Sequence, residues 1–129
     1  MAVQLRENAD TKLASVTGID AKTVAQTTLY TVPASKSMIV TKVVIRVTAF
    51  TVGSKTVQAI ASFGGNSATY DDYIDSTTYT VAAVDKAHID NNWSAAPVYA
   101  AATVFKVAIE TGSNATTETW SVDVFGYLV

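Results

Sequence analysis

The stretch TTLYTVPASKSMIVTKVVIRV, residues 27–47, decides the reading of the chain. Its first part runs through threonine and apolar residues and stops at Pro33. PASKS has the composition of a turn, with Pro33 at a corner where its fixed φ helps. From Met38 to Thr51 the side chains alternate. Ile39, Val43, Ile45, Val47 and Ala49 share one face, and Lys42, Arg46 and Thr48 share the other. A period of two over this length predicts a half-buried strand in a sheet with one wet face.

The same period extends outward in both directions. KTVAQTTLYTV (22–32) and Thr56 to Phe63 read as strands, the latter ended by Gly64-Gly65-Asn66. VYAAATVFKVAIE (98–110) turns Phe105, Val107 and Ile109 inward and Lys106 and Glu110 outward. TETWSVDVFGYLV (117–129) puts Trp120, Val122, Val124 and Leu128 on one face. Between them, TYDDYIDSTTYTVAAV (69–84) holds one or two short strands around Tyr79, Val81 and Val84. VDKAHIDNNWSAAP (84–97) reads as a loop. Toward the N-terminus, Leu5, Leu13 and Val16 form no sustained stripe, and VTGID (16–20) reads as a turn through Gly18. The expected fold is all-β: an antiparallel β-sandwich of jelly-roll type with about seven or eight strands. Residues 1–16 form an N-terminal arm or edge strand, and residues 17–129 a single sandwich domain.

Composition narrows the function. The chain has 129 residues, of which 49% are hydrophobic and 16% charged, and its net charge is −2. That length suits one domain with a real core. Threonine and valine fit a pleated surface and keep it wet with little charge. The nine Lys and Arg are scattered, whereas a nucleic-acid binder needs clustered cations, so no nucleic-acid partner is expected. There is no cysteine, which removes disulfides, thiolate metal sites and Cys nucleophiles together. MAVQLRENADTKLASV lacks the apolar run of a secretory signal, and no run reaches the length of a membrane helix. The expectation is synthesis in the cytoplasm and no membrane partner.

Chemistry-bearing groups are sparse. The one histidine, His88, has Asp85 and Asp90 nearby but no nucleophile elbow to serve. A zinc site needs three or four ligands, and no metal or cofactor is expected. Asp71, Asp72 and Asp75 cluster in TYDDYID without the spacing of a calcium loop. SFGGNS (62–67) lacks a phosphate-loop pattern. Tyr70, Tyr73, Tyr79 and Trp93 are the candidates for glycan contact, because a flat ring with a polar tip suits a sugar. Along the last strand, Phe125, Tyr127 and Val129 are apolar on the face opposite Trp120. Either a loop of the same chain covers them or they pack against another subunit, which makes them candidate oligomer contacts.

LYTVPASKSMIVTKVVIRV (29–47) resembles a pattern found in small structural proteins of tailed bacteriophages: strand, TVP, a Ser/Lys turn, then a long β-branched strand. WSVDVFGYLV (120–129) is similar to the last strand of the same proteins, with its aromatic-Gly-aromatic step. The resemblance implies a jelly-roll module of the virion, a capsid decoration protein, head fibre or spike, or tail-associated protein. It also implies a homo-oligomer, often a trimer, with a capsid or tail protein as partner and no catalytic residues. Ser35 stands where such turns more often have glycine. Leu5 and Leu13, in the N-terminal arm, are then candidates for attachment to the particle. A carbohydrate-binding module reading host glycans is the alternative.

Overall fold

Nine β-strands and no helix make up the described part of this computed structural model, residues 10–84, 86–92 and 95–129. In chain order they are β1 (Thr11–Asp20), β2 (Ala25–Thr31), β3 (Met38–Thr51), β4 (Ala59–Gly64), β5 (Ile74–Tyr79), β6 (Ala87–Asp90), β7 (Val98–Tyr99), β8 (Val104–Thr111) and β9 (Thr117–Leu128). One sheet, sheet A, has the order β1-β9-β3-β6, with β7 also pairing β3. The other, sheet B, has the order β2-β8-β4-β5. Every pairing is antiparallel. The inner faces share one core, and the chain is a β-sandwich.

The long strand β3 corrects the simple alternation. Val40 pairs with Gly126 and Lys42 with Phe125, so Thr41 is an extra residue. A bulge of this kind reverses the faces. Met38 and Val40 point inward before it, and Val43, Ile45 and Val47 after it. Ile39 is therefore not a core residue of that series; it lies only half-buried, opposite Tyr127. Gly126 lets the bulge form. A Cβ there would stand 2.1 Å from the Ile39 carbonyl oxygen. A second irregularity, between Val47 and Ala49, leaves Phe50 rather than Ala49 packed on the core.

VTGID is not a turn. It lies inside the edge strand β1, where Gly18 has φ +71° and the register to β9 shifts between Val16 and Ile19. Residues 11–16 therefore belong to sheet A, and Leu13 packs half-buried against the core. The AHID segment, read as loop, is strand β6, with Ala87 opposite Arg46 and Asp90 opposite Val43. Val81 and Val84 lie in the connection after β5, Val81 buried and Val84 exposed.

Trp120 is fully buried at the centre of sheet A, and Tyr79 meets its ring edge-on at 5.6 Å. Tyr73 and Tyr99 flank Phe105 at 5.8 and 5.6 Å in the same T-shaped manner. Such pairs add about 1 kcal/mol each beyond area burial. The β1–β2, β3–β4, β5–β6 and β8–β9 connections gather at one end of the sandwich. The described N-terminus of β1 and the C-terminus of β9 lie at the other.

Candidate interaction surfaces

The tyrosines offered as candidates for glycan contact fold inward. Tyr73 and Tyr79 are both buried, 2% and 3% exposed. Burial pushes the Tyr73 phenol up to about 12. It raises that of Tyr79 as well, helped by Asp90, whose Oδ2 accepts the Tyr79 hydroxyl at 3.0 Å. Neither ring offers a face to a glycan, which corrects that expectation for both residues. Tyr70 is also nearly covered, with the Lys106 ammonium 4.7 Å from its ring centroid. Trp93 lies outside the described residues. The polar residues around these tyrosines hide their burial in the sequence; Phe105 beside Tyr73, and Phe63, His88 and Trp120 around Tyr79, come from other strands and leave no local signature.

The three aspartates of TYDDYID do not converge. Asp71 accepts from the Asn66 amide at 2.6 Å and from Thr69 at 2.9 Å, and these hydrogen bonds hold its carboxyl below the usual aspartate range. Asp72 accepts from the Gly65 N–H at 2.9 Å and from the Tyr99 hydroxyl at 2.8 Å. Asp75 accepts from the Ser76 N–H. The Asn66 side-chain oxygen in turn accepts from the N–H groups of Asp71 and Asp72. The result is a closed loop over residues 65–72, folded back onto the outer face of sheet B. Gln26 donates to the Ala68 carbonyl at 2.8 Å, Ser62 donates to the Tyr70 carbonyl, and Ser62 and Ala108 are buried. His88 stands edge-on to Tyr79 at 5.6 Å, and Asp90 accepts from the Tyr79 hydroxyl. Asn114 is a structural clamp. Its Oδ1 accepts from the N–H groups of Thr56 and Val57, both at 2.9 Å.

No loop folds back over the outer face of sheet A among the described residues, although Ser121 and Asp123 are buried there beside Ser15 and Arg46. Phe125 and Tyr127 lie half-buried on its outer face and Val129 is exposed. Ile39 pairs with Tyr127 on one side and with Val98 on the other. Val44 pairs with Ile89 on the edge strand. Ile89 and Val98 are both exposed. These two were missed in the sequence, because each sits in a segment too short to show a period. A cleft of 220 Å³ opens beside them, lined by Ile39, Val40, Thr41, Asn92, Ala96 and Tyr127.

Two cations on this face, Lys42 and Arg46, are paired within the chain. Lys42 lies 4.7 Å over the Phe125 ring and 3.7 Å from the Asp10 carboxylate. Arg46 donates to Asp123 at 3.2 Å and to the Ser121 hydroxyl at 2.9 Å. Burial works to raise the Asp123 pKa, but the Ser15 hydroxyl and Arg46 outweigh it, and the carboxyl ends below its ordinary value. Of the two attachment candidates, Leu13 is committed to β1, and Leu5 lies outside the described residues.

The end with the four connections is internally tied. Lys55 and Glu118 form a fully buried ion pair, Nζ to Oε1 2.9 Å. Lys55 also donates to the Val81 carbonyl at 2.9 Å, and Trp120 Nε1 donates to Glu118 Oε2 at 3.0 Å. The pair thus fastens the β3–β4 turn to the β5–β6 connection and to β9. Removing one partner would strand a buried charge, at a cost of about 4 kcal/mol.

No protein-family model matches the sequence, and no curated protein matches it. A chain in the acidic stable capsid structure of Helicobacter pylori bacteriophage KHP30 has a similar fold. The TM-score is 0.57 at 11% sequence identity, over 94% of this chain and 95% of that one. At that identity the likeness establishes a common architecture, shared almost end to end, and nothing about residues.

Proposed function

We propose that this chain is a non-enzymatic structural protein of a bacteriophage particle. Its sandwich is of the jelly-roll kind, and it works by self-association and attachment to a capsid or tail protein. The observation that carries the reading is the end-to-end fold match to a chain of a phage capsid structure. The connectivity agrees with it: β1-β9-β3-β6 faces β2-β8-β4-β5, with successive strands passing repeatedly between the sheets. The open outer face of sheet A supplies an association surface through Phe125 and Tyr127, widened by Ile39, Ile89 and Val98, with Val129 beside it. Because Lys42 and Arg46 are paired within the chain, a second copy meets little like-charge repulsion there. Residues ahead of Asp10, including Leu5, are the proposed attachment arm. Capsid decoration, head fibre and tail association are all compatible with such a module.

Proteomic analysis of purified virions from the lysate in which this chain is made tests the reading. The chain is expected in many copies per particle; its absence from washed virions overturns it. Light scattering behind a sizing column tests the assembly. A homotrimer has three times the 13.6 kDa of one chain. A monomer at high concentration removes the sheet A interface.

A further inference from the structure

Each sheet of the sandwich has two edges, and the edge strands are β1, β6, β2 and β5. Three of them carry bulges. β1 holds an extra residue between Lys12 and Ala14 and another between Val16 and Ile19. β2 holds one between Thr28 and Tyr30, and β5 holds one between Ile74 and Thr77. Such bulges bend an edge out of line with any strand that might add to it. β6 is the exception. Its register with β3 runs without a shift, from Ala87 opposite Arg46 to Asp90 opposite Val43. Its other side pairs with no strand among the described residues.

The side chains of this edge are arranged for pairing as well. Ile89, a β-branched residue, is 66% exposed. Lys86 stands exposed just ahead of the strand, and Asp90 closes it half-buried. Asp90 Oδ2 accepts from the Tyr79 hydroxyl at 3.0 Å and Oδ1 from the Asn91 N–H at 2.9 Å, which leaves the carboxylate further acceptor positions. Read antiparallel against itself, the segment from Lys86 to Asp90 is self-complementary. About a two-fold axis at His88, Lys86 of each copy falls opposite Asp90 of the other, and Ala87 opposite Ile89.

We infer that β6 is a homotypic edge contact, through which two copies join antiparallel and sheet A continues from one into the other. Charge argues for a second copy as the occupant. Each copy supplies both the cation and the carboxylate that the other needs, and opposite charges placed across two strands favour that register. The outward backbone groups of β6 supply the hydrogen bonds. Ile89 sits on the outer face beside Val44, so pairing carries the apolar strip of sheet A across both copies. Four residues bury far less than the roughly 800 Å² per partner of a stable binary complex. The edge is therefore a weak contact that acts together with the outer-face contact. The inference rests on the self-association reading and adds to it the strand and the symmetry.

The test uses the full chain. Native mass is followed against concentration by light scattering, with hydrogen exchange of residues 86–91 at each concentration and thermal unfolding as the control of fold. Wild type should gain mass as concentration rises, and amides of β6 should become protected in step. Lys86→Glu turns two attractions into two repulsions and should weaken the assembly roughly tenfold. Asp90→Lys alone should weaken it too, while an equal mixture of the two variants restores both charge pairs and should return to the wild-type mass curve. Where Asp90→Lys does not fold, Asp90→Asn keeps an acceptor for Tyr79 and should still weaken the assembly. Wild-type mass for Lys86→Glu or for Asp90→Asn overturns the register, as does failure of two folded charge variants to complement each other. Assembly of wild type with unchanged exchange in β6 overturns the edge contact and leaves the outer-face contact intact. A monomer at every concentration overturns both.

Discussion

The two outer faces of this sandwich solve one problem differently. On sheet B the chain covers itself: residues 65–72 fold back, Asn66 holds the loop shut, and Ser62 and Ala108 are buried beneath it. On sheet A the described residues leave Ile89 and Val98 exposed and Ile39, Val44, Phe125 and Tyr127 half-covered. Sheet B spends backbone and side-chain hydrogen bonds on its cover. Sheet A keeps paired charges and an apolar strip. A face closed by its own chain serves stability. A face with paired charges and open apolar rows is where the proposed self-association would bury area.

The comparison predicts that equal-sized changes on the two faces have unequal effects. Asn66→Ala removes the acceptor for two backbone N–H groups and the donor to Asp71 and Thr69. It should cost about 2 kcal/mol in urea unfolding and expose Ser62 to hydrogen exchange, with native mass unchanged. A loss of mass instead of stability would erase the distinction between the faces.

Asp123→Asn, on the open face, should cost about 1 kcal/mol, because Arg46 is half-exposed and its pair is screened. The folded-state pKa of Asp123 lies below the unfolded one. Its contribution is therefore present above the ordinary aspartate range and is lost as pH falls through that range to the depressed value. The variant's acid unfolding curve should be correspondingly flatter than wild type below about pH 4. An unchanged curve would mean that Ser15 and Arg46 do not hold the carboxyl as described.

Ile89→Ser/Val98→Ser should move stability by less than about 0.5 kcal/mol, as surface changes do. The same variant should shift self-association toward monomer at a given concentration. A variant that unfolds early would show that sheet A needs these side chains for its own packing.

Much of the fold was legible from particular residues. Val43, Ile45 and Val47 face inward as their spacing says, and Trp120, Val122 and Val124 do so on β9. The failures have physical causes. Thr41 and Gly18 sit in bulges, which a strict period of two cannot register. β6 has four residues, too few to show any period. Tyr73 and Tyr79 are core residues in a polar neighbourhood, enclosed by rings from other strands, Phe105 beside Tyr73 and Trp120 beside Tyr79. The candidate surfaces were half legible. Phe125 and Tyr127 showed through as apolar residues on a face expected to be polar. Ile89 and Val98 did not, because a single exposed apolar residue looks ordinary until pairing sets it beside Val44 or Ile39.

The position of β9 sets the order in which this protein can form. It is the ninth strand to be synthesised, yet it lies between β1 and β3, and it carries Trp120 into the centre of the core. Until it emerges, the first and third strands have no partner between them, and sheet A cannot close around any nucleus built from earlier residues. Folding therefore waits for translation of the segment near residue 128 and then depends on pairings across about a hundred residues, the slow, high-contact-order regime of all-β domains. During that interval the nascent chain carries open strand edges. That is the moment when mispairing between chains competes with the native register.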